Sequence, residues 1–259
     1  MLKILLMFFI TSCFSLKNNV FFNKNIDKKN FDFVCSDWDG NNFDTLIFEG
    51  GGVRAVVYSG AIKRLEESDL IKNIKNMAGT SSGAQTAALL CSGYSSEDLE
   101  YVLRDAPWDK ILNGRFLSFK GIYSILTNYG IYNSKYLEEY LDELLYKKTG
   151  KRKITFSELY EISNIHLKLG VCSITDQDFK YIDYLSYPDM PVSLGLRASS
   201  SIPFVFTCTK WEDEVFIDGG LIGNLPTTSF PNNECLAFNL ISSDEYMHES
   251  KKNPKNIFG

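Results

Sequence analysis

The pentapeptide Gly79-Thr80-Ser81-Ser82-Gly83 constrains this chain more than any other feature. It stands between an apolar stretch, Ile74–Ala78, and an alanine-rich one, Ala84–Leu90. Glycines on both sides of a serine permit a tight turn that lifts the Ser81 hydroxyl out of the backbone. Such a turn needs a strand that ends where a helix begins, the local unit of an α/β fold. About thirty residues upstream another apolar stretch, Thr45–Phe48, runs into Glu49-Gly50-Gly51-Gly52-Val53-Arg54. Ala55–Leu65 then carries Val56, Val57, Ala61, Ile62 and Leu65 on one broad helical face. Strand, helix, strand, helix at this spacing predicts parallel strands joined by crossover helices.

These segments also carry chemistry. A serine hydroxyl is a weak nucleophile at neutral pH and needs a base within hydrogen-bond reach. Ser81 is the candidate: Gly79 and Gly83 let strand and helix approach closely, and Ser82 supplies the next backbone N–H. Gly50, Gly51 and Gly52 expose amides where a helix begins, a setting suited to an oxyanion. Arg54 would hold that loop or add positive potential. The same run nearly spells a dinucleotide fingerprint, but the next strand ends in the serine turn and not in an acidic residue, so no nucleotide is expected. Far downstream, Ile217-Asp218-Gly219-Gly220 offers a carboxylate on a turn whose two glycines, Gly219 and Gly220, admit another main chain.

The usual base for such a serine is a histidine, and the chain has two. His166 lies in an expected strand, and His248 lies in a charged stretch, Asp244–Ser250. The order serine, acid, histidine is that of α/β-hydrolases, so a triad through His248 stands beside a Ser81–Asp218 dyad. The dyad fits better, because the residues around His248 read as solvated surface.

The glycine run with its arginine, the Gly-Thr-Ser-Ser-Gly turn and the Asp-Gly-Gly turn together resemble the patatin-like phospholipases. Arg197-Ala198-Ser199-Ser200-Ser201-Ile202-Pro203 and Asn224-Leu225-Pro226 extend the likeness, which covers roughly Asp44 to Ser242. The resemblance implies a three-layer α/β/α domain with a mainly parallel central sheet. It implies a serine–aspartate dyad with neither histidine nor catalytic calcium: Ser81 as nucleophile, Asp218 as base, and Gly51, Gly52 and Arg54 in the oxyanion loop. One departure is Ala55, where many members have glycine. The implied substrate is a membrane or micellar phospholipid, with no cofactor and no metal.

Bulk properties allow one large domain or two small ones: 259 residues, of which 44% are hydrophobic. A net charge of −5 gives no basic field for nucleic acid. Six cysteines without C-x-x-C spacing argue against a metal cluster and read mainly as free thiols. Residues 1–16, a lysine followed by Ile4–Ile10 and then small residues, read as a signal peptide or membrane anchor, and Ile10–Cys13 is similar to a bacterial lipobox. Residues 17–43 read as an Asn/Lys-rich linker, 44–242 as the acyl hydrolase domain and 243–259 as a polar tail. Phe116, Leu117, Phe119, Ile122 and Tyr123 form an apolar cluster suited to an access rim, although such clusters are more often core. The rival readings are a serine esterase or thioesterase for soluble substrates and a lipid-binding protein without catalysis. The oligomeric state is left open by the sequence.

Overall fold

The computed structural model describes residues 43–111 and 130–240. The leader, the aromatic cluster between Phe116 and Tyr123, and His248 lie outside them. Two helices begin with reciprocal side-chain caps. Ser95 caps α3 (Ser96–Arg104) and Thr155 caps α6 (Phe156–Ser163), each in a reciprocal box with the acid three residues on, Asp98 and Glu158. Such caps satisfy amides that a helix start leaves bare. The helix expected from Ala55 begins instead as a 3-10 turn, Gly52–Val57, and becomes α1 at Tyr58–Glu67. Gly52 has φ +56°, and this left-handed residue tightens the first turn.

The strands are β1 (Thr45–Phe48), β2 (Asn76–Thr80), β3 (Gly130–Tyr132), β4 (His166–Ser173), β5 (Asp178–Ile182), β6 (Phe204–Phe206), β7 (Thr209–Trp211), β8 (Glu214–Asp218) and β9 (Cys235–Phe238). The main sheet runs β7-β8-β4-β2-β1-β9 with β5 also on β4, and β3 and β6 pair apart from it. The α/β architecture expected from the sequence is present, and the sheet is mixed. Strands β4, β2, β1 and β9 are parallel, whereas β5 and β8 run antiparallel to β4 and β7 antiparallel to β8.

The sheet separates two apolar environments. Leu46, Phe48, Met77, Leu167, Leu169 and Val171 belong to one cluster with buried residues of α1, α2 (Ser82–Cys91), α3, the short α4 (Trp108–Ile111), α5 (Lys135–Thr149), α6 and α7 (Val192–Ser199). Ile47 and Ala78, which alternate with them, meet Phe230 and Leu225 in a second, small cluster. Alternation of side chains along a strand produces this division.

One detail of register positions everything that follows. β5 pairs with Leu169–Ser173 of β4, overlapping both β2, which reaches Gly170, and β8, which begins at Val171. A strand has two edges, so β2 and β8 share the edge opposite β5. They arrive from opposite directions: Thr80 faces Gly170 and Asp218 faces Val171. The carboxyl ends of two strands distant in sequence therefore meet over one peptide of β4.

Candidate active site

Ser81 occupies the turn from β2 into α2, with φ 54° and ψ −122°. An L-residue held there costs about 1–3 kcal/mol and persists only where its surroundings fix it. Both flanking glycines are required by contact. A Cβ on Gly79 would stand 2.4 Å from the Gly83 backbone, and one on Gly83 would stand 2.3 Å from the Phe48 carbonyl oxygen. The Ser81 amide donates to Ser199 Oγ at 2.9 Å, and that hydroxyl donates onward to the Gly170 carbonyl at 2.7 Å.

Asp218 ends β8 with 4% of its surface exposed. Its Oδ1 accepts the Gly220 amide at 2.7 Å, and the Ser81 side chain lies near enough to the carboxyl to favour its charged form. Burial pushes the carboxyl up to about 6, against the smaller opposing effects of the Gly220 amide and Ser81. A charge without water is disfavoured, so this carboxylate holds a proton more readily than a surface aspartate does. The turn after Asp218 needs its glycines for close approach: a Cβ on Gly219 would lie 2.5 Å from the Gly170 carbonyl oxygen, and one on Gly220 would lie 2.9 Å from Asn224 Oδ1.

The glycine loop differs in detail from expectation. The Gly50 amide is committed to the Asn224 carbonyl at 3.1 Å, and the Gly51 amide to Ser82 Oγ at 2.9 Å. Among the described residues, the amides of Gly52, Val53 and Ser82 have no hydrogen-bond acceptor. The open donors therefore lie further along the loop than the first two glycines, with Ser82 at the start of α2 completing them. Gly50 is still required, since a Cβ there would stand 2.5 Å from Asn224 Oδ1. Arg54 donates to the Leu240 carbonyl at 3.2 Å, which ties the loop to the chain beyond β9.

Several residues that build the site escaped sequence reasoning. Asn224 Nδ2 bridges Glu49 Oε1 at 2.8 Å and the Gly50 carbonyl at 3.0 Å, while the other Glu49 oxygen accepts the Leu240 amide. Thr80 Oγ1 donates to the Gly223 carbonyl at 2.9 Å, joining the strand before Ser81 to the loop after Asp218. The visible signal was the placement of Glu49 and Asn224 beside the glycine motifs, but their pairing spans 175 positions. His166 begins β4, where it pairs with Asp183 Oδ2 at 2.9 Å and packs edge-on against Tyr184 and Phe230. It serves packing at the far end of the strand whose Gly170 underlies the site. Among the described residues, no three His, Cys, Asp or Glu side chains are grouped to hold a metal ion, and the four described cysteines are free.

Residues 46–231 match the family model described as patatin-like phospholipase. The chain belongs to this family. A patatin-like phospholipase fold also joins it to solved structures: VipD of Legionella pneumophila superimposes with a TM-score of 0.56 at 17% identity, covering 82% of this chain and 53% of VipD. Among curated relatives, YqhO of Bacillus subtilis is 33% identical over 198 residues, covering 71% of this chain and 65% of its own length. The probable lipid hydrolase 463L of invertebrate iridescent virus 6 is 29% identical over 186 residues, covering 71% of this chain and 62% of its own length. This patatin-like chain thus spans less than two thirds of the length of these curated relatives.

Proposed function

We propose that this patatin-like protein hydrolyses fatty acyl esters of glycerophospholipids, in the manner of a phospholipase A or lysophospholipase, through a Ser81–Asp218 dyad. The observation that carries the reading is the convergence of Ser81, on a strained turn after Thr80, and the buried Asp218 carboxyl over adjacent residues of β4, where burial raises the carboxyl to about 6. A base of that strength is ionised at neutral pH yet takes a proton more readily than an ordinary carboxylate. Ser81 Oγ attacks the ester carbonyl as Asp218 takes its proton. The developing oxyanion is met by the Gly52, Val53 and Ser82 amides, each such donor being worth roughly 100- to 1000-fold in turnover. Collapse expels the alcohol, which receives the proton from Asp218. Water, deprotonated by the same carboxylate, then attacks the acyl-Ser81 ester, and collapse releases the fatty acid as Ser81 Oγ takes the proton back from Asp218. Every proton is accounted for by one carboxylate, so neither histidine nor calcium is called upon. Access to membrane lipid would be aided by the N-terminal leader acting as an export signal or tether.

The test is fatty-acid release from mixed phospholipid micelles, with a calcium chelator present, by the full chain and its Ser81→Ala form. Release that disappears in the variant is expected. Release that persists in Ser81→Ala, or that requires calcium, refutes the mechanism. Hydrolysis confined to soluble esters would replace the phospholipid reading with that of a soluble acyl esterase.

A further inference from the structure

Arg197–Pro203 has a place in the family likeness but no part in the reaction as written. The fold brings it to both halves of the dyad. α7 ends at Ser199, whose side chain is fully buried (0% exposed). Its hydroxyl stands between the Ser81 amide, which it accepts at 2.9 Å, and the Gly170 carbonyl, to which it donates at 2.7 Å. The β2–β4 ladder ends at Thr80↔Gly170, so this hydroxyl is inserted where the next main-chain bond of the sheet would form. The insertion lets Ser81 leave the sheet plane without orphaning its amide or the Gly170 carbonyl. Two residues on, the Ser201 carbonyl accepts the Asp218 amide at 3.0 Å, and Ser201 Oγ is held by the Arg197 carbonyl and Thr209. Between them, Ser200 Oγ accepts Gln85 Nε2 from the first turn of α2 at 3.0 Å.

We infer that Ser199 is a positioning residue for the ester hydrolysis, its hydroxyl acting as a spacer that holds Ser81 in its positive-φ turn while the Ser199–Ser201 segment fixes Asp218 opposite. Serine suits the position because one small group both donates and accepts. Alanine would leave the Ser81 amide and the Gly170 carbonyl unpaired, and Ser81 would relax toward the sheet. Displacement of a reacting group by about 1 Å costs on the order of 100-fold in rate. Substrate binding does not run through Ser199, so the loss should fall on kcat. The inference rests on Ser81 being the nucleophile, as proposed above.

The experiment compares the full chain with its Ser199→Ala and Ser199→Thr variants on a soluble p-nitrophenyl ester, alongside the rate at which a fluorophosphonate labels Ser81. Expected for Ser199→Ala is a fall in kcat of about 10- to 100-fold with KM within about threefold and slower labelling to match. Ser199→Thr, which keeps the hydroxyl, should recover most of the loss in both assays. A folded Ser199→Ala with kcat and labelling within about twofold of wild type overturns the inference, as does a threonine variant no better than alanine. If the alanine variant does not fold, Ser199→Cys, a weaker donor and acceptor, carries the same thresholds. Labelling keeps the two readings separable: wild type that labels at Ser81 without hydrolysing any ester defeats the proposed function and leaves the spacer to be judged on labelling alone. Wild type that does not label defeats both.

Discussion

Asp218→Asn should make this protein more stable and nearly inactive, and the gain should depend on pH. The carboxyl is buried and its pKa is raised from 3.8 to about 6. Two pKa units correspond to about 3 kcal/mol of preference for the neutral form in the folded state. The native protein therefore retains a proton that the unfolded chain has released between about pH 4 and pH 6. Wild-type stability falls as pH rises through that window and is flat above it, where the folded state carries the full cost of the buried charge. Asparagine is neutral throughout, and its side-chain oxygen can still accept the Gly220 amide that Asp218 accepts at 2.7 Å. At pH 8 the variant should be more stable by up to about 3 kcal/mol, which is roughly 6–12 °C in melting temperature at about 2–4 °C per kcal/mol for a chain near this size. At pH 4 and below the two proteins should melt within a degree or two of each other, since both side chains are then uncharged. Ester hydrolysis should fall by about 10³-fold or more, because nucleophile and base act as a unit. Thermal unfolding of both proteins at pH 4 and pH 8 decides the matter. A gap of equal size at both pH values, or a variant less stable at pH 8, would show that folding does not raise the pKa of this carboxyl.

The same carboxyl should govern the pH profile. In the proposed mechanism hydrolysis uses its ionised form, so kcat/KM should rise about tenfold per unit below pH 6 and level above, and the profile of His248→Ala should coincide with that of wild type; a collapse in His248→Ala would favour the triad instead. Gly83→Ala is expected to yield little folded protein, because its Cβ would press to 2.3 Å on the Phe48 carbonyl oxygen and 2.6 Å on that of Glu49. Soluble expression and circular dichroism would read this directly, and a Gly83→Ala protein with wild-type melting would contradict the packing of α2 on β1.

Much of the site was legible because its parts are local. The glycines beside Ser81 and Asp218 announce turns, and capping pairs such as Ser95 with Asp98 act within one helical turn. The periodicity of Ala55–Leu65 pointed to a helix but missed its 3-10 start, because left-handed geometry at Gly52 leaves no trace in hydrophobic spacing. In sequence the amides of the glycine loop are indistinguishable, and only the contacts of Asn224 and Ser82 separate committed amides from open ones.

By itself, then, the sequence determined the pieces: a strand that ends in a serine turn, a glycine run at a helix start, an aspartate between a strand and two glycines, and the family to which that set belongs. Tertiary structure decided how the pieces act. β2 and β8 converge on one edge of β4 only because β5 occupies the other. Asp218 becomes a stronger base than a free aspartate only because that convergence buries it. Ser199 reaches the Ser81 amide across 118 positions of chain. Turn and helix signals are encoded within a few residues, whereas desolvation and long-range hydrogen bonds exist only once distant segments share the same few ångströms.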